Sequence, residues 1–274
     1  MSQLATTMIP APAARKLKNR VSIGQTIHDT LLMAYRGLLK FWHTPEQFVD
    51  VTLQPIIFTL MFTYIFGGAI AGDIKSYLPI IIPGILVQTT LTGSVVTGTQ
   101  IREEMDKGVL DRIRSLPISR ISPLAGALIA DIVRYVIAIT ITFVMGYILG
   151  YRPAHGVIGM VEGGLLLVAC TWSLSWIFAL LGVLVRSVAA VQGPSLLVLF
   201  PLTFVSNALV PTNTMPAALQ WFANVNPVSH LVTAIRDFAS TGAFTADAGW
   251  ALLGSAIIVL IFAPLTVSFY MRKA

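Results

Sequence analysis

Side chains able to do chemistry are few in this 274-residue chain, and their spacing narrows what they could do. Asp131 and Arg134 stand three apart inside a long apolar run, close enough on one helix face to form an ion pair. A charge inside such a run is costly and marks a candidate functional position. Two uses stay open for it: a structural pair, or a part in gating, substrate contact or ion relay. A second group is denser. Residues 100–123, QIREEMDKGVLDRIRSLPISRISP, hold five basic and four acidic side chains between two apolar runs of very little charge. Such a set suits docking rather than bond making. The other candidates point to no reaction. His28, His43, His155 and His230 have no second ligand at metal spacing, so no metal site is expected. Cys170 is the sole cysteine and lies in an apolar run, where a thiol packs as a small apolar group. No Gly-Lys dipeptide exists, so the chain has no phosphate-cradling P-loop, and neither a GxSxG elbow nor HExxH occurs. No catalytic residue and no cofactor are expected.

The composition says where these residues sit. The chain is 55% hydrophobic and 11% charged, with a mean hydropathy of +0.80, whereas a soluble domain carries about 25% charged residues. An all-α integral membrane protein follows. With about 20 apolar residues needed per crossing, the length allows six spans and no separate soluble domain. The net charge of +6 does not imply a nucleic-acid partner, because the basic residues gather at span ends without a basic, aromatic-interleaved platform.

Residues 1–20, rich in Ala, Thr, Pro and basic side chains, read as a disordered tail, with no cleavable signal peptide evident. Residues 21–43 read as an amphipathic helix. Ile23, Ile27, Leu31, Tyr35, Leu38 and Trp42 follow helical spacing, which suits a helix lying at the membrane interface or one binding a partner. Residues 44–274 form the six-span domain, opened by Thr44-Pro45-Glu46-Gln47 with the spacing of a capping box and a first-turn proline. The predicted spans are 51–72, 78–99, 124–150, 161–185, 191–210 and 251–270. Span two carries Thr89, Thr90, Thr92, Ser94, Thr97 and Thr99, which could line a polar path or be helix-packing positions. Between spans five and six, three prolines cut the chain into short pieces. Asn226-Pro227 starts one with Val228, Leu231, Val232, Ile235 and Phe238 at helical spacing, so a pair of short re-entrant or interfacial helices is expected.

The charged stretch must lie in water. Ile101, Met105, Val109, Ile113 and Leu116 recur every three or four positions, predicting one helix with an apolar stripe. Pro117 ends it, Ser122-Pro123 restart the chain as N-cap and first-turn proline, and Gly108 in its middle suggests a close contact. The reading is a short cytoplasmic helix that docks on a partner; a solvated loop resting on lipid headgroups is the competing one. With both termini inside, fourteen basic residues lie inside and three, Lys75, Arg152 and Arg236, outside, which supports that orientation and puts the charged helix on the side of cellular ATP.

The run EEMDKGVLDRIRSLPISR, residues 103–120, following two spans, resembles the loop of the ABC-2 type permeases, in particular the daunorubicin/doxorubicin-resistance branch of multidrug exporters. The TPEQ helix start, the QPIIF of span one and NPVSHLVTAIRDF near the last span extend the likeness over most of the chain. The resemblance implies the membrane subunit of an ATP-driven exporter in the cell membrane, paired with a second copy and two copies of a separate ATPase. Its cargo would be a hydrophobic or amphipathic small molecule, moved outward. It also implies that Glu103, Glu104, Lys107, Gly108, Asp111, Arg112, Arg114, Leu116 and Pro117 form the ATPase-coupling segment. The alternative is an ion-coupled transporter or channel working through Asp131 and Arg134.

Overall fold

The computed structural model describes residues 22–114, 118–209, 212 and 215–273, which form ten α-helices and no strand. The predicted tail, residues 1–20, lies outside the described residues. In order the helices are α1 Ile23–His43, α2 Pro45–Ala71, α3 Ile74–Asp106, α4 Val109–Arg114, α5 Ser122–Leu149, α6 Gly156–Leu184, α7 Ala189–Phe204, α8 Ala217–Val225, α9 Pro227–Ser240 and α10 Ala246–Lys273. Five of them, α2, α3, α5, α6 and α10, are long and apolar enough to cross a membrane.

The predicted fifth span, 191–210, is where the structure departs from the expectation. Its helix α7 has 16 residues, about 24 Å at the α-helical rise, against roughly 30 Å of hydrocarbon. A side chain explains the early stop. The Asn226 amide donates to the carbonyls of Leu202 and Val205 at 3.0 and 2.8 Å, satisfying groups that a longer helix would have used itself. Val210, at the end of the predicted span, lies outside the described residues.

At the centre α3 packs along α6, and both are buried over most of their length. Tyr77, Ile81, Ile85, Leu167 and Phe178 are fully enclosed there. Lipid is as apolar as these side chains, so close packing must hold the helices together. Gly98 and Gly182 make that possible: a Cβ on Gly98 would stand 2.4 Å from the Phe178 carbonyl oxygen, and one on Gly182 would stand 2.2 Å from that of Gly98. Around this pair, α5 flanks α3, α9 fills the space beside α6 and α10, and α2 and α10 leave most of their apolar surface outward.

Two predicted helix starts use different chemistry from the one expected. Thr44 occupies the N-cap of α2, yet its hydroxyl donates back to the Lys40 carbonyl at 2.8 Å, and Gln47 accepts from the Gln100 amide at 3.1 Å instead of closing a capping box. Helix α5 begins at Ser122 with Pro123 in its first turn. The Ser122 hydroxyl makes no cap and instead meets the Thr30 hydroxyl at 3.4 Å. The Asn226-Pro227 start is as expected, with the Asn226 side chain accepting from the Val228 amide at 2.9 Å. The two short helices expected between the last spans are α8 and α9.

Candidate functional site

The charged stretch does not fold as one helix. Helix α3 runs on through Gln100 to Asp106, and Gly108 then takes a left-handed conformation at φ 64°, which turns the chain into the separate six-residue α4. Glycine suits this turn because, without a Cβ, it enters the left-handed region at little steric cost. The expected stripe is also used inside the chain. Ile101 and Ile113 are buried, and Ile101 and Met105 pack with Leu124, Trp176 and Tyr270.

The polar side of this stretch is engaged by α1. Arg36 pairs with Glu104 at 3.1 Å, and Lys40 pairs with Glu103 at 3.2 Å. Glu103 also accepts from Lys107 at 2.5 Å, which holds the lysine ammonium above its usual range. Further along, the buried Asp29 carboxylate of α1 accepts from the Ser119 amide at 3.0 Å, beside the Thr30–Ser122 contact. Helix α1 thus grips the chain on both sides of α4, and its inward face mixes Asp29 and Thr30 with Ala34 and Phe41. Ile23, Ile27, Leu31, Tyr35 and Trp42 all point outward. Arg102 donates to the Val185 carbonyl at 2.8 Å and Lys273 to the Val183 carbonyl at 2.6 Å, so two cations close the end of α6 at this same pole of the molecule.

Of the nine expected coupling residues, Glu103, Glu104 and Lys107 sit in the tether to α1, and Gly108 forms the turn. Asp111, Arg112 and Arg114 lie on α4, where Arg112 is exposed. Leu116 and Pro117 lie outside the described residues.

The second candidate site is closed. Asp131 and Arg134 are in direct contact on α5, and the Thr97 hydroxyl of α3 donates to the Asp131 carboxylate. Asp131 has no exposed surface and the Arg134 side chain is 7% exposed. One turn on, the Tyr135 and Ser175 hydroxyls share a hydrogen bond of 2.6 Å. Arg134 borders two small cavities, about 30 Å³ beneath α1 and about 60 Å³ between α2, α3 and α5, each large enough for one or two waters. Thr90 and Thr171 join α3 to α6 at 3.2 Å, and most of the expected Thr/Ser row bonds back to its own helix.

One polar anchor was not foreseen. Arg236, counted among the outer basic residues, is largely buried on α9, where it donates to the carbonyls of Ile80 and Asn207 at 2.8 and 2.9 Å. It ties α9 to α3 and to the segment after α7, at the pole opposite α4. Nothing in its local sequence marks it, since both acceptors are backbone atoms far along the chain. No group of three or more His, Cys, Asp or Glu side chains able to hold a metal exists among the described residues.

Residues 28–238 match the family profile described as ABC-2 type transporter. A daunorubicin resistance ABC transporter permease protein of Streptomyces coeruleorubidus is 40% identical over 268 residues, covering 96% of this chain and 95% of the relative. A probable doxorubicin resistance ABC transporter permease protein of Mycobacterium tuberculosis is 25% identical over 245 residues, covering 89% and 88%. An ABC transporter G family member of Dictyostelium discoideum is 24% identical over 220 residues, 78% of this chain but 28% of that longer protein.

Proposed function

This chain belongs to the ABC-2 type transporter family, and from that premise we propose that it is the membrane subunit of a drug exporter powered by a separate ATPase. The cargo is a hydrophobic or amphipathic molecule of the class named for its anthracycline-resistance relatives, and transport runs outward. Two copies of the chain and two of the ATPase make the working unit. The chain holds no P-loop, which supports assigning the nucleotide to the partner.

In this reading the pole carrying α4 faces the cytoplasm, as do both termini, in the plasma membrane. Residues 21–43 lie along the inner headgroup layer, with α1's apolar face in lipid and its polar face on α3 and α5. Residues 44–274 are the transport domain, α7 is the fifth of its six spans, and α8 and α9 dip into the outer leaflet. The fourteen-to-three split of basic residues supports the orientation.

Residues 103–117 couple the chain to the ATPase in two parts. Gly108, Asp111, Arg112, Arg114, Leu116 and Pro117 form the docking surface; Glu103, Glu104 and Lys107 hold α1 against it. What carries the reading is the placement of α4: a short helix with Arg112 exposed and Ile113 buried, set off by a glycine turn and gripped on both flanks by α1, can be pushed as a unit. Arg112→Glu should leave the protein inserted in the membrane and lower ATP-dependent efflux at least tenfold, the effect of losing one charge-assisted contact and gaining a repulsion. Efflux at the original rate in that variant would end the proposal.

A further inference from the structure

The outer halves of α5 and α6 stand apart. Near their middle Gly164 reaches Ile139, but toward the connection at residues 150–156 the facing residues Tyr147, Ile148, Val157 and Val161 are all more than half exposed. Between them runs an apolar groove of about 670 Å³, with Ile139, Phe143 and Leu165 along its walls. It extends from Val136 to Ile148 along α5, about 18 Å at the helical rise, close to the roughly 15 Å depth of one leaflet's hydrocarbon. Its outer mouth carries a single cation, Arg152. The guanidinium carbon stands over the Tyr147 ring, 3.6 Å from its centroid, and Nη1 donates to the carbonyls of Tyr147 and Tyr151 at 2.6 and 2.9 Å. Its Nε and Nη2 make no hydrogen bond among the described residues. It is therefore fixed in place with one donor edge left over.

We propose that this groove binds one anionic phospholipid, its acyl chain lying between α5 and α6 and its phosphate on the free edge of Arg152. The match is in length, apolar lining and charge: a slot one leaflet deep, closed at its polar end by a pre-oriented cation suited to a phosphate. A second copy of the chain fits less well, because a concave slot needs a protruding partner and an anionic one at its mouth. Assigning the lipid to the outer leaflet rests on the orientation proposed above; the binding itself does not, and it can be tested without the ATPase.

The purified full chain, extracted from vesicles of equal parts phosphatidylglycerol and phosphatidylcholine, would be examined for retained lipid by native mass spectrometry. The wild type should retain phosphatidylglycerol over phosphatidylcholine by roughly tenfold, as one charge-assisted bond provides. Arg152→Gln should abolish the preference and Arg152→Lys largely keep it. Val161→Trp, which fills the slot from an exposed position, should lower retention of both lipids with Arg152 intact. Equal retention of the two lipids by the wild type, or an unchanged preference in Arg152→Gln, would overturn the proposal. So would a groove protected from lipid only when two copies associate, which would make it an interface between copies.

Discussion

At the scale of single residues, Asp131 and Arg134 show how one structural fact bears on two functions. Each is sealed from solvent, and Thr97 adds a hydrogen bond to the carboxylate. Removing only the acid would leave a buried guanidinium without its counter-charge, and breaking such a pair costs about 3–5 kcal/mol. Asp131→Ala should therefore lower the unfolding midpoint in detergent sharply. Replacing both, Asp131→Leu with Arg134→Met, should recover most of the loss. If transport survives in the double variant, the pair is structural; if it fails while stability returns, the pair takes part in the transport cycle. The spacing in sequence made this pair visible, because three residues on one helix must share a face. Arg236 had no such signal. It bonds to carbonyls 156 and 29 residues away, and backbone acceptors leave no trace in residue type.

At the scale of elements, α1 shows what patterning does and does not reveal. Its two faces were legible from the 3.6-residue period, but which face met the protein was not. The inward face combines the buried Ala34 and Phe41 with Asp29, Arg36 and Lys40, whose partners are Ser119, Glu104 and Glu103, all in the stretch expected to face a separate protein. The Arg36–Glu104 pair is substantially exposed, so it contributes little to stability, of the order of 0–1 kcal/mol. Its value lies in register. Arg36→Glu should cost little in thermal stability yet reduce ATP-dependent efflux severalfold, and adding Glu104→Arg should restore it; a double variant as impaired as the single one would show that the tether does not transmit force. Likewise the period of the charged stretch was read correctly as helical, while its division at Gly108 was not. A glycine inside a helix and one ending a helix look alike until the backbone shows a positive φ.

At the scale of the whole molecule, the two poles differ in build. One gathers the ends of α3, α6 and α10 with the start of α5 under α1, closed by salt bridges and by cations on helix carbonyls. The other is held by Arg236 and by Asn226, side chains donating to backbone carbonyls around α7. Helix α3 links the two poles: it touches α2, α5, α6, α7 and α9 and meets α6 at glycine-to-backbone distance. Composition alone required a helical membrane protein. The length of α7 was hidden because its stop depends on the side chain of Asn226, the N-cap of α9.

If an ATPase on another chain grips α4, removing that helix must release it. The direct measurement is recovery of the ATPase subunit with this chain, solubilised from membranes that express both, comparing the wild type with a deletion of residues 108–114. The wild type should retain the ATPase and the deletion should release it, with the shortened chain still in the membrane. Equal recovery of the ATPase with both forms would contradict this.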